Sequence, residues 1–133
     1  MATHLVIGDP HCTPRTSNER FLWAGRLAAD FKVTHVICMG DFCSMDSLSS
    51  YDRGKKSFEG RRYQRDMQHS HEALSLFNQG LGNYKPKKIM IHGNHEDRID
   101  RFVDDNPELE GSISIDDLQF KKYGWQEVRY KSI

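Results

Sequence analysis

The chain has 133 residues, which is enough for one domain. Hydrophobic residues make up 37% of the sequence and charged residues 29%, proportions typical of a soluble globular protein, though a polar one. The 19 basic and 19 acidic residues balance, so no global charge attracts the chain to nucleic acid or to a membrane surface.

The amino terminus and the cysteines predict a cellular compartment. The first residues lack the basic start and long apolar run of a signal peptide, and no stretch approaches the roughly 20 apolar residues of a membrane span. Three cysteines form an odd number without a CxxC pair, which is typical of a reducing compartment. We therefore expect a cytoplasmic protein with no membrane partner.

Strands and helices alternate along the chain. Apolar runs predict strands at 4–8, 34–40 and 87–93, with a further strand near 126–130. Such an order implies right-handed crossovers and a mostly parallel sheet flanked by helices, an α/β fold. Because the strands are almost continuously apolar, we expect helices on both faces of the sheet.

The helices are predicted from apolar spacing and from capping signals. Thr16 and Glu19 have the spacing of a capping box, and an apolar stripe follows them as far as Phe31. The predicted helices span 16–31 and 61–81, a third begins just after 94 and ends before 107, and a short one lies near 115–123. The stretch 41–60 is rich in serine and glycine and is predicted to be a loop.

Three predicted strands end in the same way. The pairs Gly8-Asp9, Gly40-Asp41 and Gly93-Asn94 each close an apolar run with glycine and a side-chain oxygen. In a parallel sheet these oxygens meet at the carboxyl edge, where open α/β sheets place their sites. The alternative is that each Asp or Asn only caps a turn or a helix.

Histidines beside these oxygens favour a metal site. Asp9 and His11 form a D-x-H pair, and His95 follows Asn94. Carboxylate, amide and imidazole ligands suit Mn, Fe or Zn better than Mg alone. Two such ions ~4 Å apart would clamp a phosphate, with Asp41 as the candidate bridge. His95, just outside the coordination sphere, could protonate the leaving group.

These motifs resemble a known family. The sequences GDPH at 8–11, GD at 40–41 and GNHE at 93–96 are similar to those of the calcineurin-like metallophosphoesterase superfamily. The resemblance implies the amino-terminal half of that family's α/β sandwich and a dinuclear metal site. The metal ligands that it implies are Asp9, His11, Asp41 and Asn94. It implies that His95 is the acid or transition-state stabiliser. It also implies that Glu96 supports His95 without binding the metal itself.

The sequence departs from the family pattern twice. Ser44 stands where the family's GD-x-x-D/N motif has Asp or Asn, and Asp46 lies nearby but out of register. No histidine follows His95, so the family's later His and GHxH motifs have no match. We therefore expect residues 1–133 to form a single partial domain. A fragment, one chain of a split enzyme, and a natural half-domain without catalysis are all compatible with this pattern.

The stretch after the second strand carries the substrate prediction. Residues 53–65 hold six basic residues and one acid, with aromatic residues interleaved. This pattern favours contact with a nucleic acid or nucleotide, although a solvated loop is the alternative. The predicted contacts are Arg53, Lys55, Lys56, Arg61 and Arg62. The loop and the GNHE stretch also resemble phage-encoded phosphoesterases and DNA exonucleases, for which the compartment would be the host cytoplasm.

Two functions are compatible with the sequence. The first is metal-dependent hydrolysis of a phosphomonoester or phosphodiester, with His92, which ends the third strand, supporting the site. The second is an incomplete half-domain that binds protein or nucleic acid. Such a half-domain would associate with a second copy or with a complementary carboxyl-terminal half.

Overall fold

The protein forms a four-stranded parallel sheet. The computed structural model describes residues 1–49 and 61–130. Each strand pairs in parallel with the next one along the chain, in the order β1-β2-β3-β4. The strands are β1 (His4–Ile7), β2 (His35–Cys38), β3 (Lys87–Ile91) and β4 (Trp125–Val128). The predicted α/β fold is confirmed.

The three connections between strands contain helices. These are α1 (Glu19–Asp30), α2 (Tyr63–Leu81) and α3 (Asn94–Asp105). Short 3₁₀ turns lie at Asp46–Leu48, Pro107–Leu109, Ile115–Leu118 and Lys121–Tyr123. In the described residues no helix is long and apolar enough to cross a membrane.

The start of α1 differs from the prediction. The residue that precedes the helix is Asn18, and the Thr16 N–H donates to Thr13 O in a turn before it. The expected capping box at Thr16 and Glu19 is therefore wrong. Phe31 follows the last helical residue and is 72% exposed, so it does not continue the buried stripe of α1.

The two faces of the sheet are buried unequally. Val36, Cys38, Met90 and Trp125 point towards the helices and are buried. The opposite side, which we call the open face, has no fully buried residue in the described chain. Its residues are His4, Val6, His35, Ile37, Lys87, Ile89, Ile91, Gln126 and Val128. The expectation of helices on both faces is wrong for the described chain, because right-handed crossovers in an unreversed strand order place every helix on one side.

Helices α1 and α2 approach each other through two glycines. A Cβ added to Gly25 would lie 2.2 Å from the Phe77 carbonyl oxygen, and one added to Gly80 would lie 2.3 Å from that of Leu22. The backbones are therefore in direct contact. On α2 the predicted apolar stripe is buried at Met67, Leu74, Phe77 and Leu81.

We expect Gly25→Ala to destabilise the protein by about 1–3 kcal/mol, because the new methyl group has no room against α2. Helix propensity alone predicts the opposite sign, a gain of about 1 kcal/mol. Urea unfolding followed by circular dichroism measures the difference. Gly8→Ala is the control, since its Cβ would meet nothing within 4 Å. A stabilised Gly25→Ala protein would contradict the close packing.

Candidate metal centre

Beyond the ends of β1 and β2 the chain continues as two neighbouring segments. Met39 N–H donates to Ile7 O at 2.8 Å, and His11 N–H donates to Asp41 O at 2.9 Å. A further parallel bridge pairs Cys12 with Cys43. These backbone bonds hold His11 beside Asp41 at the carboxyl edge of the sheet.

Three of the predicted ligands have an unusual backbone conformation. Asp9, His11 and Asp41 have φ angles of 36°, 47° and 51°, in the left-handed region that residues with a Cβ rarely adopt. Residues in that region cost free energy and persist where the surrounding structure holds them, often at functional sites. Here they turn the chain sharply at the ends of two adjacent strands.

Asp41 packs directly on Gly93. A Cβ added to Gly93 would lie 2.1 Å from Asp41 Oδ1, so only glycine leaves room for this carboxylate. The same Oδ1 accepts a hydrogen bond of 2.9 Å from the His95 N–H in the first turn of α3. The Asp41 side chain thus joins the end of β2 to the loop after β3.

Three side chains converge on one point. His11, Asp41 and His95 each offer a ligand atom, and these atoms lie within 4.8 Å of one another. His11 Nε2 is 4.0 Å from Asp41 Oδ2, and the two imidazole rings stand perpendicular with their centres 4.5 Å apart. One carboxylate and two half-buried imidazoles form a donor set that fits a divalent transition metal. His95, predicted to lie outside the coordination sphere, belongs to this group geometrically.

Asn94 adds an amide at the same place. Its amide group lies 3.2 Å from both carboxylate oxygens of Asp41. With the nitrogen turned towards Asp41, the amide donates to both oxygens. With the oxygen turned towards Asp41, the two groups would share a cation, as the sequence predicts.

The His95 ring is oriented by a backbone carbonyl. Its Nδ1 lies 2.7 Å from Ser44 O, which can only accept, so Nδ1 carries the hydrogen and Nε2 remains available. Arg98 Nη1 donates to the same oxygen at 2.9 Å. Burial lowers the pKa of His95, and the charge of Arg98 lowers it further. Arg98 is not among the residues predicted from the sequence, although its position one turn beyond His95 on α3 could have indicated it.

A comparison with known families agrees with this geometry. The model of the calcineurin-like phosphoesterase family matches residues 3–129. The chain belongs to this family. No curated protein matches the sequence.

One predicted ligand of this family member lies outside the central group. Asp9 is exposed at the end of β1, and the group of three does not include it. Of the D-x-H pair, therefore, only His11 lies beside Asp41 in this group. A role for Asp9 in metal binding stays a prediction.

Glu96 supports the loops rather than the His95 ring. Its side chain is fully buried and accepts hydrogen bonds from the Gly93 N–H at 2.9 Å and the Cys43 N–H at 3.3 Å. Burial raises the pKa of its carboxyl group. Glu96 therefore links the loop after β3 to the loop after β2, beneath the metal centre.

The departure from the family pattern at Ser44 has a structural counterpart. Ser44 Oγ donates to Asp46 Oδ1 at 2.8 Å, while Arg15 and Thr13 donate to Asp46 Oδ2. Asp46 therefore stabilises the loop that presents Ser44 O to His95, and it is not part of the group around Asp41. Burial acts to raise the pKa of Asp46, but the hydrogen bond from Ser44 and the charge of Arg15 outweigh it and leave the pKa lowered.

The remaining predicted residues lie apart from this group or outside the described chain. His92 is buried, and its Nε2 is 2.9 Å from Glu127 Oε1, so it joins β3 to β4. Arg61 Nη1 donates to Asp46 O at 3.3 Å, and Arg62 is exposed. Arg53, Lys55 and Lys56 lie outside the described residues.

We expect Asp46→Asn to destabilise the protein near neutral pH, because a charged acceptor with several donors is lost. The folded pKa of Asp46 is lowered, so its contribution is present above the ordinary pKa and is lost as the pH falls through the folded value. The stability gap between the wild type and Asp46→Asn should therefore close as the pH falls below about 4.

Urea unfolding between pH 7 and pH 3 tests this dependence. Asp30→Asn is the control, since Asp30 is exposed at the end of α1. A gap that stays constant over the whole range would contradict the proposed role of the Asp46 charge.

Proposed function

We propose that this chain hydrolyses phosphoesters by means of two divalent metal ions. The observation that carries the proposal is the convergence of His11, Asp41 and His95 at the carboxyl edge of the sheet. Membership of the calcineurin-like phosphoesterase family supports the same reaction class.

The residues fit a shared metal centre. Asp9 and His11 would hold one ion, Asn94 the second, and Asp41 would bridge them. Mn, Fe or Zn suits this mixture of imidazole, amide and carboxylate, and Mg remains compatible. When bound, the ions would withdraw charge from the phosphoryl group and acidify a water molecule.

His95 would act on the leaving group. Ser44 O fixes the Nδ1 hydrogen, so Nε2 is the atom that would carry the transferred proton. Arg98 would hold the Ser44 carbonyl in place from the other side. A lowered pKa makes protonated His95 a stronger acid towards a departing alkoxide.

The substrate class that we favour is a nucleic acid or nucleotide. Arg62 is exposed and Arg61 lies against the loop after β2, next to the metal centre. Guanidinium groups that follow this loop would contact phosphates flanking the hydrolysed bond. The three buried free cysteines are compatible with a reducing cytoplasm, including that of a phage-infected host.

Asp41→Asn should weaken both metal binding and catalysis, because it removes the bridging charge. We expect Mn²⁺ affinity to fall by about tenfold or more and the hydrolysis of bis(4-nitrophenyl) phosphate by the full chain to fall by roughly 100-fold or more. Electron paramagnetic resonance of free Mn²⁺ measures the first quantity, and release of nitrophenolate measures the second. Asp30→Asn is the matched control.

His95→Gln separates the two roles that this histidine can have. A proton donor predicts a loss of kcat of about 100-fold or more with unchanged Mn²⁺ affinity. A metal ligand predicts that affinity falls as well. Full activity of either Asp41→Asn or His95→Gln would overturn the proposal.

The open face supports a second candidate function, an incomplete half-domain that associates with another chain. Parallel sheets are normally covered on both faces, yet Val6 is 57% exposed and its neighbours Ile37 and Ile89 are only half-buried. An exposed apolar surface of this kind is typical of an interaction site. The partner would be a second copy or a complementary carboxyl-terminal half.

If a second copy covers the open face, the purified chain should sediment above its monomer mass of 15.5 kDa. Val6→Lys should return it to that mass, because the new charge would be buried in the interface. Leu27→Lys is the control, since Leu27 is a 45% exposed apolar residue on α1. A wild-type monomer at micromolar concentration with strong Mn²⁺-dependent turnover would contradict this candidate.

A further inference from the structure

A concave site lies at the opposite edge of the sheet from the candidate metal centre. It is an open pocket of about 410 Å³ between the end of α2, the start of β3 and the turn before β4. Its volume is within the range of small-molecule sites. Because β3 runs from Lys87 to Ile91, Lys88 lies near its amino end, whereas the loop of Gly93 follows its carboxyl end.

The pocket is strongly basic. Three lysines line it, Lys85, Lys88 and Lys122, and none of its lining residues in the described chain is acidic. Tyr84 and Tyr123 line it as well and supply aromatic surface. A concave surface with one sign of charge concentrates ligands of the opposite sign.

The buried ammonium group of Lys88 is the main feature of the pocket. It is only 8% exposed, and its ammonium group donates to Asn78 Oδ1 and to Tyr123 O, both at 2.5 Å. Both acceptors are neutral, whereas an ammonium group has three donors and a full charge. Burial lowers the pKa of Lys88 to about 8, and no carboxylate opposes this shift. The ammonium group also lies 5.3 Å from the centre of the Trp125 ring, but a buried charge without a counter-charge is costly, and a bound anion would offset that cost.

The backbone leaves space beside the ammonium group at Gly124. Gly124 lines the pocket with a φ of 91°, and a Cβ placed there would lie 3.2 Å from Lys88 Nζ. Any larger residue would crowd the ammonium group as well as strain the backbone. The glycine thus keeps one side of the Lys88 charge open.

We propose that this pocket binds a small organic phosphate, with Lys88 as the buried anchor and Lys85 and Lys122 as exposed contacts. A phosphate monoester supplies nearly two negative charges and three acceptor oxygens, which matches three lysines better than a single carboxylate does. An attached ring or sugar would fill the remaining volume beside the tyrosines. This proposal does not depend on hydrolysis at the metal centre.

The test is a titration of the full, metal-free chain with phenyl phosphate, followed by two-dimensional NMR. Buffers treated with a chelating resin remove metal ions, so the metal centre has no cation to hold the phosphate. We expect saturable shifts of the amide signals of Lys88, Tyr123 and Gly124, while those of Gly40 and Gly93 stay unchanged. Phenol, which lacks the charge, should cause no saturable shifts.

Variants assign the binding to the pocket. Lys85→Gln and Lys122→Gln should each weaken phenyl phosphate binding by about fivefold, since each removes one charged contact. Lys121→Gln is the matched control, because Lys121 is exposed but does not line the pocket. Lys88→Met should abolish binding. If Lys88→Met does not fold, the phenyl phosphate affinities of Lys85→Gln and Lys122→Gln still test the proposal.

Three results would overturn the proposal. The first is an absence of saturable shifts. The second is a set of shifts confined to the metal edge of the sheet. The third is equal affinity in the wild type, Lys85→Gln and Lys122→Gln, which would leave Lys88 only the structural role of holding α2 to the turn before β4.

Discussion

The contact between Asp41 and Gly93 is the constraint on which the candidate metal centre depends. The carboxylate of Asp41 occupies the space that a side chain at position 93 would fill, and it accepts the His95 N–H. This one contact fixes the end of β2 against the start of α3. Beneath it, Glu96 makes the same connection through the backbone of Gly93 and Cys43. Two carboxylates, Asp41 with a 15% exposed side chain and the fully buried Glu96, therefore hold the loops in a single arrangement. His11 is added through its backbone bond to Asp41.

Much of this arrangement could be predicted, because it depends on local patterns. Apolar runs ending in glycine located three strands, and the stripe of α2 located the helix that covers them. The pairing of His11 with Asp41 followed from parallel strands ending at one edge. The capping of α1 could not be predicted, because both Thr16 and Asn18 are good caps and the turn at Thr13 decides between them. The uncovered face was missed because half-exposed strands and fully buried strands of isoleucine and valine look alike in a sequence.

The loop after β2 shows how tertiary contacts override a motif. The register of the family motif made Ser44 look like a lost carboxylate. In the folded chain Ser44 presents its backbone carbonyl to His95 and Arg98, and its hydroxyl to Asp46. A main-chain oxygen thus orients the imidazole. Asp46 stabilises the position of that oxygen indirectly, by accepting a hydrogen bond from the Ser44 hydroxyl group. Only the three-dimensional position of the carbonyl reveals this, because every residue has one.

The left-handed backbone at Asp9, His11 and Asp41 would link metal binding, as proposed for these residues, to folding. Each such residue costs of order 1 kcal/mol or more, and all three lie within two adjacent strand-end loops. The metal-free chain is therefore less stable than its core alone would make it. A cation that binds only the folded loops would offset this cost by mass action. For this protein, the concentration of divalent metal would then set the fraction of folded molecules as well as the occupancy of the site.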